Sequence, residues 1–445
     1  MDTSYRWLLL ASVLEFGLLW LRGLGDLRRA IPETIAIWAF LSSFYLIAIL
    51  IGSWDPPAGR MRWFLPAAAV LFRLTIWSSP PSLSDDVFRY RWEGMVSARG
   101  GNPYQVRPND MGWTTLRDGA FPRVGQKDFR AGYGPLIEQA QLWMYLAAER
   151  ITPDPMRQAF LFKLPACLFD LAILAVLWHM LPPARFLVYA WSPLAIVEFW
   201  GSGHNDSIPL LLILLAVAGA NARRWGLSFT ALSLAVAAKI WPLALFPVFV
   251  WRAGEERWKG WALAPVFALA WLPYWSDVRE NVRFMTGFAG GWRNNDSLFG
   301  VLLWLTGGDA VAAKYAVFAL AGIAVTYFAT RDWPIEKSCL GAIAALLMVS
   351  ANCHPWYLTW LLPFLAFHLS APLLLWTGLI PLAYEVVIRW TILGDWDGLS
   401  PLRWYIHVPV YAYFAVLGVL ALARRLRGRT SAAYRAAIPR FTGTS

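Results

Sequence analysis

Apolar segments recur along the whole 445-residue chain, separated by mostly short polar intervals, and this pattern restricts the fold more than any motif does. The segments cover residues 7–20, 34–51, 62–77, 136–148, 159–180, 186–200, 208–220, 226–250, 261–275, 298–306, 312–329, 339–351, 357–367, 372–388 and 404–423. A helix crosses a bilayer with about 20 apolar residues, so the expected fold is an all-α polytopic membrane protein of about 11–13 spans. Several segments fall short of that length and are expected to be tilted, broken or re-entrant around a buried polar site. The first segment lacks a small-residue cleavage site and reads as an uncleaved helix rather than a signal peptide.

Composition excludes the main competing classes. With 58% hydrophobic and 15% charged residues, the chain lacks the polar surface of a soluble globule. Its 28 tryptophans fit the aromatic belts at the two membrane interfaces. The net charge of +11 does not indicate nucleic acid, because the arginines are scattered over short loops and gathered in the tail without a basic stripe. Cys167, Cys339 and Cys353 show neither a disulfide framework nor a zinc spacing.

The tail from Arg424 onward carries six arginines and no acid, which makes it cytoplasmic by the positive-inside rule. Counting back puts 276–296 and 352–356 outside, with Arg223, Arg224 and the 331–337 turn inside. The loop holding Asp85 falls outside if the first three segments all cross. The loop with Arg22, Arg28 and Arg29 is then outside, against the usual bias. His204 reaches the outer face only if a short segment, such as 136–148, does not cross. These boundaries divide the chain into two N-terminal helices (1–61), a central module (62–300) with its outer loop at 79–135, C-terminal helices (301–423) and the basic tail (424–445). The outer loop, about 55 residues long, is the longest polar interval, and loops of such length are usually functional or disordered. Trp92, Met95, Val96, Trp113, Leu116 and Phe121 are spaced among its charges, as in short amphipathic helices lying on a bilayer.

Polar constellations interrupt the apolar pattern. Asp85 and Asp86 stand side by side after the third segment, followed by Arg89, Arg91, Glu93, Asn102 and Tyr104; acids there are costly unless water, cations or a substrate meet them. Tyr133-Gly134-Pro135-Leu136 leads from the loop into the next helix. Glu198, His204, Asn205 and Asp206 lie between two long apolar runs. Lys239 is a lone cation in an apolar segment, suited either to snorkelling or to anion binding. Asn295 and Asp296 close one outer interval, and His354-Pro355-Trp356-Tyr357 opens another helix. No HExxH, Walker loop or Gly-x-Ser-x-Gly occurs, so ATP-driven, protease and esterase readings lack support.

Taken in this order, the motifs resemble the GT-C superfamily of membrane glycosyltransferases that use polyprenyl-phosphate sugars. They are most similar to its mannosyltransferases, including the one adding the first mannose in glycosylphosphatidylinositol assembly and its bacterial relatives. The resemblance spans roughly residues 84–364. It is carried by Asp85-Asp86-Val87-Phe88-Arg89-Tyr90-Arg91-Trp92, by Tyr133-Gly134-Pro135-Leu136, by Ala238-Lys239-Ile240-Trp241-Pro242 and by the run from His354 to Pro363. Gly134 stands where many relatives have a second proline, and two hydrophobic segments precede the helix that usually comes first.

The resemblance implies a GT-C-like helix bundle that moves a hexose, mannose by preference, from a polyprenyl-phosphate donor to a glycolipid or glycan acceptor. It further implies catalysis on the outer face of a plasma (inner) membrane. The lipid phosphate is already a good leaving group, so one general base suffices and the anomeric configuration inverts. Asp85 is the expected base, with Asp86 orienting the acceptor or holding a cation. Arg89, Arg91, Lys239 and His354 are candidates for the donor phosphate. Glu93, Asn102, Tyr104, Tyr133, Glu198, His204, Asn205, Asp206, Asn295, Asp296, Trp356 and Tyr357 are candidates for sugar and acceptor contacts. No cofactor is required; the paired aspartates permit a divalent cation, but no complete ligand set can be named. A transporter or flippase of a lipid-linked sugar, a polysaccharide polymerase or ligase, and a non-catalytic scaffold are the competing classes.

Overall fold

The computed structural model describes residues 3–394 and 398–437, and among them there are helices and no strand. Among the described residues five helical stretches are long and apolar enough to cross a membrane: Ile31–Trp54, Pro155–Met180, Ala310–Thr330, Ala371–Leu393 and Arg403–Arg425, the second and fourth with a local break. The chain is thus an all-α, multi-pass membrane protein. Ser207–Asn221 and Trp225–Ala238 are shorter apolar helices beside them.

Other segments break where prolines remove a backbone donor and restrict the preceding residue. Segment 226–250 reads as continuous in sequence, yet its helix stops at Ala238. Lys239 is extended at φ −143°, ψ 146°, and the chain resumes as the 3-10 turn Trp241–Leu245, with Pro242 in its first turn, and the helix Phe246–Ala253. Segment 186–200 likewise divides into Pro183–Ala190, Pro193–Ile196 and the π-helical turn Val197–Ser202. These interruptions carry the polar residues of the centre of the molecule.

One ion pair is sealed inside the main apolar core. Arg73 Nε donates to Asp170 Oδ2 at 2.5 Å, with both side chains inaccessible. The Tyr189 hydroxyl (2.5 Å) and Trp200 Nε1 (2.8 Å) also donate to Asp170, while Arg73 Nη1 reaches the Ala190 carbonyl at 2.7 Å. The pair therefore joins the helix Phe64–Trp77, the helix Leu164–Met180 and the π-helical turn.

The 79–135 interval folds back on the protein. Its helix Asp86–Ala98 is buried over residues 87–96, and Trp92, Met95 and Val96 share a cluster with Tyr145, Ala148, Ala159 and Phe162. Trp113, Leu116 and Phe121 pack at the edge of that cluster. The apolar face expected to rest on lipid is covered instead by the helices Pro135–Ile151 and Pro155–Leu161. The approach is close enough that a Cβ at Gly94 would overlap the Gln141 carbonyl. The Leu27 amide donates to Ser82 Oγ at 3.1 Å, so the loop with Arg22, Arg28 and Arg29 stands on the same face as Asp85. Arg28 is paired there with Asp26 at 2.7 Å, which offsets part of the charge behind the orientation conflict.

Candidate active site

The site begins with two pinned chain reversals. Lys163 Nζ donates to the Trp77 and Ser79 carbonyls at 2.7 and 2.9 Å, fixing the end of the helix Phe64–Trp77 from which the aspartates emerge. On the other side, the π-helical turn ends at Gly203 with φ +78°, and the His204 amide bonds back to the Glu198 carbonyl at 3.0 Å. Only glycine fits this reversal well: besides its positive φ, a Cβ would lie 2.8 Å from both Val87 Cγ1 and Lys163 Cγ. Single π-turns of this kind frequently occur at functional sites.

The adjacent aspartates serve different partners. Asp85 Oδ1 accepts from Arg123 Nε and Nη2 at 2.9 and 2.8 Å, and that guanidinium lies over the Phe88 ring. Asp86, one residue later and in the first turn of its helix, turns toward the interior. Its Oδ2 accepts from the Tyr90 and Tyr133 hydroxyls, both at 3.1 Å, and lies 3.8 Å from His204 Nε2. Asp86 remains 28% exposed, and among the described residues no hydrogen bond engages its Oδ1.

Around Asp86 the structure assembles residues far apart in sequence. His204 is fully buried, with Nδ1 3.0 Å from Glu198 Oε2; the Tyr384 hydroxyl donates to the other oxygen of Glu198 at 2.7 Å. Asp206 accepts from Trp360 Nε1 at 2.8 Å and pairs with Lys239 Nζ at 2.9 Å. The same ammonium lies over the Tyr133 ring, 4.9 Å from its centre. Lys239 therefore neither snorkels nor stands free. Asn205 is buried, and among the described residues both of its amide atoms are unpartnered.

Trp356 is stacked between His204 and His354, with ring centres 4.1 and 4.4 Å away. The two imidazoles take up part of the indole surface, and Trp356 itself is half-buried. Tyr357 stacks on Trp360, which in turn stacks on Trp241. His354 also contacts the Asn294 amide. Burial pushes its imidazole down to about 4, so at neutral pH it is uncharged and not the preplaced cation expected for a phosphate.

The other expected phosphate ligands are used elsewhere. Arg89 bonds Glu93 (2.6 Å) and the Gln126 and Phe129 carbonyls, and Arg91 bonds Gln158 and Asp118. Both guanidiniums thus knit the outer loop instead of facing Asp86. Glu93 itself is buried; desolvation raises its carboxyl above the usual range, with Arg89 opposing that rise. Asn102 donates to Asp277 at 2.8 Å, and the Tyr104 hydroxyl donates to the Tyr133 carbonyl at 2.8 Å, so these two anchor the loop. Asn295 bonds the Cys353 carbonyl, and Asp296 pairs with Arg293 at 2.7 Å, which locks the 293–297 turn and leaves Asn294 as its contact with the site.

Residues missed in sequence are Tyr90, Arg123, Asn294, Trp360 and Tyr384. Tyr90 alone had a local signal, being one helical turn beyond Asp86. Among the described residues no group of three or more His, Cys, Asp or Glu is arranged to hold a metal ion.

Fold and site define a polytopic helical membrane protein in which broken helices gather carboxylates, imidazoles, phenols and a lysine into one centre. Residues 20–255 match the MptA_B family model, described as alpha-(1->6)-mannopyranosyltransferase, N-terminal domain, and the chain belongs to that family of mannosyltransferases. No curated protein and no solved structure matches it.

Proposed function

We propose that the protein transfers mannose from a polyprenyl-phosphate donor to a hydroxyl of a glycan or glycolipid acceptor by single displacement, on the outer face of the plasma membrane with the C-terminal tail in the cytoplasm. Asp86 is the general base. The observation that carries this assignment is the state of its carboxylate: Oδ2 is anchored by Tyr90 and Tyr133, while among the described residues Oδ1 has no hydrogen bond and the side chain is partly exposed. Asp85 is instead held by Arg123. The family description names an α(1→6) linkage. An α product formed with inversion requires a β-linked donor and the primary 6-hydroxyl as nucleophile.

The acceptor oxygen attacks the anomeric carbon, the carbon–oxygen bond to phosphate breaks with its electron pair, and Asp86 removes the hydroxyl proton. No acid need protonate the departing phosphate, unlike a glycosidase leaving group. Lys239, whose ammonium lies over the Tyr133 ring, and Arg123, paired with the neighbouring Asp85, are the cations assigned to the charge that develops on phosphate. Asn205 supplies an unpaired amide for a sugar hydroxyl, since such a group is costly to leave buried and unmet.

The test is transfer of labelled mannose from polyprenyl phosphate to a membrane glycan by purified protein in lipid nanodiscs. Native protein should transfer. Asp86→Asn should bind donor and fail to transfer, while Asp85→Asn retains at least part of the rate. Loss confined to Asp85→Asn would return the base to that residue, and movement of lipid-linked sugar across the bilayer without a new glycosidic bond would replace the enzyme reading with a transporter.

A further inference from the structure

His204 lies between two carboxylates, and among the described residues neither of its buried ring nitrogens makes a hydrogen bond. Nδ1 faces Glu198 at 3.0 Å and Nε2 faces Asp86 at 3.8 Å, while the Trp356 indole covers one ring face at 4.1 Å. The imidazole is inaccessible, so neither nitrogen is presented to a sugar. Glu198 is itself fixed by the Tyr384 hydroxyl and by the π-helical turn that carries it. Such a carboxylate–imidazole–carboxylate line is a means of moving a proton.

We infer that Glu198 and His204 form a relay behind Asp86, in which His204 receives the proton that Asp86 takes from the acceptor hydroxyl. The inference rests on Asp86 being the base. Glu198 Oε2 stands 3.0 Å from Nδ1 without the alignment of a hydrogen bond, so a small turn of either side chain is needed for the carboxylate to accept Nδ1–H; that tautomer leaves the Nε2 lone pair for Asp86. During transfer the acceptor oxygen forms its bond to the anomeric carbon, and the carbon–phosphate oxygen bond breaks with its electron pair on the lipid phosphate. The released proton enters on Asp86 Oδ1. Rotation of the carboxyl group brings it toward Nε2, and the present gap must close by about 1 Å for a hydrogen bond. The imidazolium then lies between two carboxylates, stabilised by both in a medium of low dielectric. The departing lipid phosphate or water takes the proton and resets the site. Glu198 and His204 are thus positioning residues for the base, not sugar ligands.

The groups around the relay are Asp86 from the helix Asp86–Ala98, Glu198 from the π-helical turn, Tyr384 on the far oxygen of Glu198, and His354, which also stacks on Trp356. The first measurement needs no substrate: ring nitrogen-15 NMR of histidine-labelled protein in nanodiscs, with the His204 signal among the five histidines identified by its loss in His204→Gln. Native protein should show the neutral Nδ1–H form at His204. Glu198→Gln should move it toward Nε2–H, because the glutamine amide can donate to Nδ1, and Asp86→Asn should shift Nε2 alone. A His204 signal unmoved by both substitutions overturns the relay whether or not the mannose donor is correct.

The second measurement is transfer. His204→Ala and Glu198→Gln should lower kcat by about 10²-fold with donor KM unchanged, in the range that positioned proton transfer contributes. Added imidazole should restore part of the His204→Ala rate. A raised KM with unchanged kcat would assign both residues to sugar binding and overturn the relay. If the NMR coupling is present and native protein transfers nothing from polyprenyl-phosphate mannose, the donor assignment has failed and the relay geometry stands.

Discussion

Two buried polar networks lie close together in this protein, and they are finished to different degrees. Around Asp170 every acceptor is met: Arg73, Tyr189 and Trp200 all donate to one carboxylate, and the Arg73 guanidinium also reaches backbone carbonyls at Ala69 and Ala190. Around Asp86, among the described residues, the carboxylate is anchored through one oxygen and nearby Asn205 has no partner for either amide atom. A satisfied buried network rigidifies a fold, whereas unmet polar atoms are costly and need a reason. Trp200 and Glu198 lie on the same π-helical turn, one facing each network. The closed network thus holds the open one in place.

The largest effect should separate the two networks by activity. Asp86→Asn should cut transfer about 10³-fold, within the range for loss of a general base. Its thermal unfolding in nanodiscs should match native protein, because the phenols keep an acceptor in asparagine. A large drop in unfolding temperature would mean that Asp86 is a fold element like Asp170. The reverse pattern belongs to Asp170→Ala. Removing one partner of a buried pair strands the other and costs about 3–5 kcal/mol, so this variant should unfold at much lower temperature. Whatever fraction remains folded should still bind donor.

The closed network was illegible in sequence, because Arg73 and Asp170 are single charges inside apolar runs and only the fold brings them together. The breaks had a partial signal: Pro242 follows Lys239, yet hydrophobicity alone made 226–250 look continuous. Asp85 and Asp86 were legible as a pair. Which of them faces inward was not, because that depends on where the helix begins and on Tyr133 arriving from the end of the loop. Arginines near acids suggested anion binding, but a loop poor in apolar residues needs internal ties, and Arg89 and Arg91 are spent on them. Only the Arg89–Glu93 tie, one turn along a helix, was local enough to read from spacing. Of the two imidazoles stacked on Trp356, His354 is two residues away in the same motif, and only His204, from a distant segment, was hidden in the sequence.

A smaller effect tests whether the open network is open for ligand. Asn205→Ala removes an amide that has no partner among the described residues, so folding stability should stay the same or rise. Donor KM should increase about tenfold, the scale of one lost hydrogen bond of about 1.4 kcal/mol. Isothermal binding with the non-transferring Asp86→Asn background isolates this term from chemistry. Equal donor affinity with and without the Asn205 amide would remove it from the binding set and leave its burial without a functional account.

The smallest effect is a pH dependence at the edge of the open network. His354 titrates near 6.5 when exposed and at about 4 in the fold, lowered first by burial and opposed by the charge of Asp86. The unfolded chain therefore binds the proton more readily than the folded one. The stability linked to this residue is complete above pH 6.5 and is lost as pH falls from there toward 4. Protonation would also put a cation in contact with Trp356 and the Asn294 amide, where the neutral ring now packs. Thermal unfolding of native protein and of His354→Gln, compared from pH 7 down to about 4.5, reads the difference directly. The native curve should fall more steeply across that window than the variant curve. Parallel curves would mean that His354 is solvated in the membrane-bound protein, and its place in the packed side of the site would have to be given up.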